Sequence, residues 1–280
     1  MANAEQLAKL RAGVDGWNQW RESILDEPID LSRANLSNAI LTGANLSGAD
    51  LSRTNFIGAT LSATDLSGAN LSNADLSGAD VNKADLTGAT LAGANLLGAD
   101  LAETILSKAK MSGVNLNRSD LSNVNLSGCN LSQASLIGVE MSRADLTGAD
   151  LSGANLKRAE LQRTKLTQAT LTTANLEDAR LLSAVLCEAN LEEANLKGAR
   201  LNRANLAKAN FVKANLQEAN LLGSNLTEAS LMAAQLNKVN LSGADLTGTN
   251  LQDADIEGTV LEGATFQNTV MPDGSLRTDS

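Results

Sequence analysis

The chain has no histidine and no tyrosine, and only two prolines, two cysteines, two tryptophans and three phenylalanines in 280 residues. Each shortage excludes something. Bulky aromatics supply much of the buried area of ordinary globular cores, and an aromatic content of 2% does not fit one. The apolar fraction, 43%, is almost all Leu and Ala instead. Without His, the commonest acid/base group and the usual zinc ligand are missing, which removes most hydrolytic triads and zinc enzymes. Cys129 and Cys187 do not make a secretory disulfide framework. No stretch approaches the ~20 apolar residues of a membrane span. The first residues also lack the continuous apolar core of a signal peptide. A cytoplasmic protein away from membranes is therefore expected. Acidic residues outnumber basic ones, 32 to 22, for a net charge of −10. Direct nucleic-acid binding needs basic clusters against phosphate, so it is not expected.

What the chain has is a repeat. From Leu31 to Met271 a large apolar residue stands at every fifth position, 49 times without a slip, and Leu fills 41 of them. Two residues earlier lies a small residue, Ala in 34 cases, and between the two sits Asp or Asn in 31. Nineteen of the 22 Gly fall two residues after the large position. A period of five fits neither the 3.6 of a helix nor a long strand of period two. Within one unit, small and large residues are two apart, so both point to one side of a short extended segment and the Asp or Asn to the other. The next two residues must turn the chain, where Gly and Asn tolerate positive φ. Apolar residues always inward then wind the chain into a solenoid, each coil hydrogen-bonded to its neighbours.

Units such as Ala44-Asn45-Leu46-Ser47-Gly48 resemble those of the pentapeptide-repeat family, which read roughly A-(D/N)-L-x-x. The resemblance implies an all-β solenoid, a right-handed quadrilateral parallel β-helix with four units per coil. For 49 units it implies about twelve 20-residue coils. Three segments are expected: an N-terminal helical cap over 1–28, the β-helix over 29–271, and a turn or disordered tail over 272–280.

A solenoid exposes apolar core and unpaired backbone at its ends, so caps are needed. Leu7, Leu10, Val14, Trp17, Ile24 and Leu25 recur at helical spacing; Gly13 and Gly16 are possible breaks, and Pro28 is a stop. Trp17 and Trp20 are natural plugs, and the run Trp17-Asn18-Gln19-Trp20-Arg21 resembles leader segments of cyanobacterial members. At the other end, either Met271 and Leu276 fold over the last coil or that end pairs with another molecule. A monomer and a C-terminal end-to-end dimer both remain open.

With 20-residue coils, positions 20 apart stack. One column reads Asp80, Asp100, Asp120, Glu140 and Glu160, followed by Arg180 and Arg200. Such a row of carboxylates is a candidate interaction strip, relieved by Lys83, Arg143 and Arg163 on the same face. A flat row does not converge oxygens on a hard cation, so no metal site is expected. Asn35, Asn55, Asn95, Asn115, Asn155, Asn175, Asn195 and Asn215 form a second column, read as a hydrogen-bonding ladder. The outward apolar residues Ile57, Leu97, Ile137, Leu182 and Leu222, with Val185, are the other candidates for a protein contact. Cys129 replaces a core Ala and is expected to be an inert buried thiol, with Cys187 outward.

No loop interrupts the repeat to form a catalytic pocket, and no general base of the His type exists. A non-enzymatic interaction module or scaffold without cofactor, contacting a protein partner, is the leading expectation. The alternative is DNA mimicry, which the family resemblance suggests: an acidic surface that occupies and protects a type II topoisomerase. Residues 30–271 carry 25 acids and 18 bases, a net −7, which is weak for that role. Leu at nearly every large position and the absence of a projecting loop also speak against it.

Overall fold

A computed structural model describes residues 2–24 and 27–279. Two compact units divide the chain, Met1–Ser135 and Leu136–Ser280. The unit Met1–Ser135 opens with two helices, α1 (Ala4–Ala12) and α2 (Val14–Ser23). The Asn3 side chain caps α1 by accepting from the N–H groups of Glu5 and Gln6 at 3.0 and 3.2 Å. Gly13, at φ 140° and ψ 150°, separates the helices, a conformation that a side chain would strain. The expectation that Gly16 also breaks the helix is corrected: it lies inside α2. Leu25 falls outside the described residues.

Beyond the helices, each unit is built from turns and single-residue parallel bridges. Every bridge joins residues twenty apart, as in Asp30↔Asp50, Asn35↔Asn55, Ile40↔Thr60 and Asn45↔Asp65, so four ladders run side by side. In Met1–Ser135 they extend to Asn115↔Ser135; in Leu136–Ser280 they run from Glu140↔Glu160 to Asn250↔Val270. One five-residue unit shows the local cause. The Ala34 N–H donates to the Leu31 carbonyl at 3.0 Å, closing a four-residue turn, and Arg33 takes φ 59°. Positive φ at the third position of a turn is the geometry Gly favours. Among the described residues 29 non-glycine residues adopt it, many of them Arg, Lys and Glu, always two after the large residue. Such conformations are uncommon outside Gly. They are held because the same residue's N–H bonds the next coil, as Arg33 does to the Ser52 carbonyl at 2.9 Å.

The Asp or Asn of the unit fastens that turn. Its Oδ1 accepts the N–H two residues on: Ser52 on Asp50 at 2.9 Å, Ser67 on Asp65 at 2.9 Å, Ser77 on Asp75 at 3.0 Å. This is the Asx-turn, a role the outward-pointing alternation does not reveal. Inside, the Leu positions are nearly all buried, with Phe56, Phe211 and Phe266 among the largest buried side chains. Toward the C-terminus the seal loosens, and Ile256, Leu261 and Met271 are half-buried. Thr replaces Ala inward without cost to its hydroxyl: Thr54 donates to the Leu31 carbonyl at 2.8 Å, and Thr164 to that of Met141 at 2.8 Å.

The two ends are finished differently. At the N-terminal end side chains of the helices cover the first ladder edge. Trp17 is buried and its Nε1 donates to the Asn45 carbonyl at 2.7 Å. The Asn18 amide accepts from the Asn45 N–H at 2.8 Å and donates to the Gly43 carbonyl at 3.0 Å. Arg11 and Arg21 each donate to a carbonyl at 2.8 Å, those of Asn35 and Ser47. Leu10 is buried, whereas Leu7, Val14, Trp20 and Ile24 are half-buried. Buried Gln6 was not anticipated: its amide donates to the Pro28 carbonyl at 3.0 Å and accepts from the Asp30 N–H at 2.9 Å. At the C-terminal end, β1 (Thr269–Val270) pairs antiparallel with β2 (Leu276–Arg277). The Phe266 N–H reaches the Asp279 carbonyl at 2.9 Å, and the Arg277 guanidinium lies 3.6 Å from the centre of the Phe266 ring.

Candidate interaction surface

The carboxylate column divides between the units. In Met1–Ser135 the bridges Asp80↔Asp100 and Asp100↔Asp120 stack three aspartates. Each is committed to its own turn, accepting the N–H of Asn82 at 3.0 Å, Ala102 at 2.9 Å and Ser122 at 2.8 Å. In Leu136–Ser280, Glu140 stacks on Glu160, which stacks on Arg180 and then Arg200. Glu160 is neutralised by Arg180, 3.1 Å away, and hydrogen-bonded by Gln162. The asparagine column does form amide ladders, with Asn115 donating to Asn95 at 2.8 Å and Asn195 to Asn175 at 3.0 Å.

The apolar candidates lie at the surface. Ile57 and Leu97 are exposed in the first unit, and Ile137, Leu182 and Leu222 in the second; Val185 and Cys187 are half-buried. Ile40, Ile105 and Val260 were missed, although they stand at the Asp/Asn position and the same alternation turns them outward; Ile40 is 78% exposed. Cys129 is buried, its thiol donates to the Leu106 carbonyl at 3.4 Å, and burial pushes its pKa up.

Ion pairs concentrate in the second unit. Six join residues twenty apart there, including Lys157–Glu177 at 2.8 Å, Lys165–Asp145 at 3.3 Å and Arg158–Asp178 at 3.8 Å. The Thr147 hydroxyl, aided by Lys165, holds the Asp145 carboxyl below the usual range. Between these pairs lies an open cavity of about 360 Å³ lined by Arg158, Glu160, Asp178, Arg180, Gly198 and Arg200. Gly198 keeps it open beside Asp178, because a Cβ there would meet Asp178 Oδ1 at 2.7 Å. Among the described residues Arg200 has no carboxylate within ion-pair distance, and no group of His, Cys, Asp or Glu could hold a metal ion. No helix among them is long and apolar enough to cross a membrane.

Comparison with known proteins is consistent in one respect. HetL, a pentapeptide repeat protein involved in heterocyst differentiation regulation from Nostoc sp. strain PCC 7120, is 32% identical, with 94% of this chain and 98% of HetL covered and a TM-score of 0.37. Rfr23, a pentapeptide repeat protein from Cyanothece 51142, is 28% identical over 54% of this chain and 90% of its own, with a TM-score of 0.22. Trypsin-treated QnrB1, a plasmid-mediated fluoroquinolone resistance protein, is 23% identical over 66% and 86%, with a TM-score of 0.43. Among curated protein sequences none matches significantly. The pattern described as Pentapeptide repeats matches overlapping stretches from 29–68 to 154–192 and from 194–231 to 229–268. Such repeats form a right-handed quadrilateral β-helix, here preceded by two helices. On these matches the chain belongs to the pentapeptide-repeat family.

Proposed function

We propose that the chain is a non-enzymatic interaction module that presents fixed columns of side chains to a protein partner. The observation that carries this reading is the double fastening of the outer surface. Turns headed by Asp or Asn are closed by their own Asx contact and by a bond to the next coil, as at Asp50, Ser52 and Arg33. Side chains on such a backbone lose little freedom on binding, so less affinity is spent on ordering. Four units to a coil make about twelve coils of the 49 units, each adding one rung to every column. The family is generally non-catalytic, in keeping with the chain's lack of histidine. The C-terminal hairpin uses backbone groups of the last turns within the chain, which supports a monomer.

DNA mimicry has less support. The aspartates of its best column are tied into turns, and among the described residues seven of the second unit's 18 acids are paired with Lys or Arg. Affinity capture with the full chain tests the choice. A stoichiometric protein partner retained when Asp80, Asp100 and Asp120 are all changed to Asn is expected. A topoisomerase subunit recovered by the wild type and lost from that variant would favour mimicry instead. Capture of nothing stoichiometric would overturn the interaction reading.

A further inference from the structure

The second unit carries a surface of opposite sign to the chain. Between residues 160 and 203 one face holds Arg163, Arg180, Arg200 and Arg203 against Glu160, four positive charges less one, or +3, with Glu140 and Arg143 cancelling beside them, in a protein of net −10. Arg158 and Asp178 at the adjoining corner cancel. All four arginines are exposed. Glu160 holds Arg180 in place at 3.1 Å, while among the described residues Arg163, Arg200 and Arg203 are in no ion pair. Leu182 and Leu222 emerge on this same face, 46% and 44% exposed. Arg163 bonds through its N–H to the Leu182 carbonyl, and Arg203 to that of Leu222, both at 2.9 Å. The two leucines are two ladder steps apart, about 10 Å, close to three residues of an extended chain.

Resting on the reading of the chain as an interaction module, we propose that this face binds an extended acidic segment of a protein partner. A carboxylate enters the cavity between Arg180 and Arg200, and apolar side chains cover Leu182 and Leu222. Guanidinium groups match carboxylates in planar, two-bonded geometry better than a point charge does. The cavity, about 360 Å³, exceeds what a lone carboxylate needs and has room for a whole acidic side chain with adjoining backbone. Exposed apolar side chains between unpaired charges of one sign complement a strand that alternates acidic and apolar residues. Neither feature alone would select that partner, since single exposed leucines and solvated arginines are ordinary.

The test selects phage-displayed random twelve-residue peptides on the immobilised full chain and measures the winners by fluorescence anisotropy. The expected winners carry Asp or Glu within three residues of Leu, Ile or Phe, and bind more weakly as salt rises. Their affinity should fall tenfold or more with Arg180→Glu plus Arg200→Glu, and similarly with Leu182→Asp plus Leu222→Asp, while Arg200→Lys retains most of it. Thermal unfolding of each variant must match the wild type, which exposed positions allow. Winners without acidic bias, or acidic winners indifferent to the arginine variants, would overturn this face and leave the interaction reading standing. Failure to enrich any peptide would overturn both.

Discussion

The two units share one repeat and one net charge, yet treat their outer surfaces differently. Met1–Ser135 has 14 acids and 9 bases, and Leu136–Ser280 has 18 and 13, so each sums to −5. In the ladder of the first unit all eight aspartates stand just before the large residue, and Glu103 is the single glutamate. Asp is short, and from that position it closes its own turn and meets polar side chains of the next coil, such as Asn70 on Asp50 at 3.1 Å. The second unit has ten glutamates, most of them one or two residues after the large position, among many Lys and Arg. Among the described residues six ion pairs twenty residues apart occur there, four through Glu and two through Asp145 and Asp178, against one, Lys83–Glu103, in the first. More Glu, Lys and Arg thus add ion pairs between coils to the turn-closing role that Asp keeps in both units, and Asp145 plays both parts.

The largest effect should come from the cap. Trp17→Ala removes a buried indole and its bond to the Asn45 carbonyl, at a cost of about 3–5 kcal/mol by analogy with other buried aromatics. Hydrogen exchange should then accelerate at Leu36–Leu46, with the second unit's amides unchanged; acceleration in both units would mean that the two unfold together. Next comes Asp50→Ala, which frees the N–H of Ser52 and loses the 3.1 Å bond from Asn70. It should cost about 1–2 kcal/mol in urea unfolding, with Asp50→Asn near neutral.

A pair of serine deletions tests the inward position. Ser119 donates to the Leu96 carbonyl at 2.7 Å, whereas the buried Ser224 hydroxyl has no partner. Ser119→Ala should lose about 1 kcal/mol and Ser224→Ala should lose nothing or gain. Equal losses would remove the distinction.

Acid sensitivity should differ by residue. The Thr147 hydroxyl and Lys165 lower the folded pKa of Asp145, so its contribution is full above the unfolded value of about 3.9 and disappears as pH falls through the folded value. Asp145→Asn should flatten that part of the acid-unfolding curve. Smallest is salt. The second unit's ion pairs lie at the surface, half-buried or exposed, where solvent and salt screen them, so Lys157→Gln should matter little and even less at 1 M salt.

The repeat period, the inward Leu and Ala and the N-terminal plug can all be read from the residues, because each follows from alternation or helical spacing. Ile40, Ile105 and Val260 obey the same alternation and were legible by it. The positive φ of residues such as Arg163 and Glu193 was not, since nothing in an Arg or Glu signals that a neighbouring coil will hold its N–H. Gln6 gave no sign either; its partners at Pro28 and Asp30 are chosen by the packing of α1 on the first coil. The cavity needed both the ladder register, which stacks Arg180 on Arg200, and the missing Cβ of Gly198. Only the first follows from the repeat.

The Asn18 amide has a wider consequence. Its oxygen takes the place at the Asn45 N–H that a further coil's carbonyl would fill, while the Trp17 Nε1 stands at the Asn45 carbonyl where that coil's N–H would come. Two side chains together thus stand in for a peptide group of the coil that is not there. Chains stripped of both would expose the unpaired N–H and carbonyl of Asn45, the kind of open edge on which strands of other molecules pair.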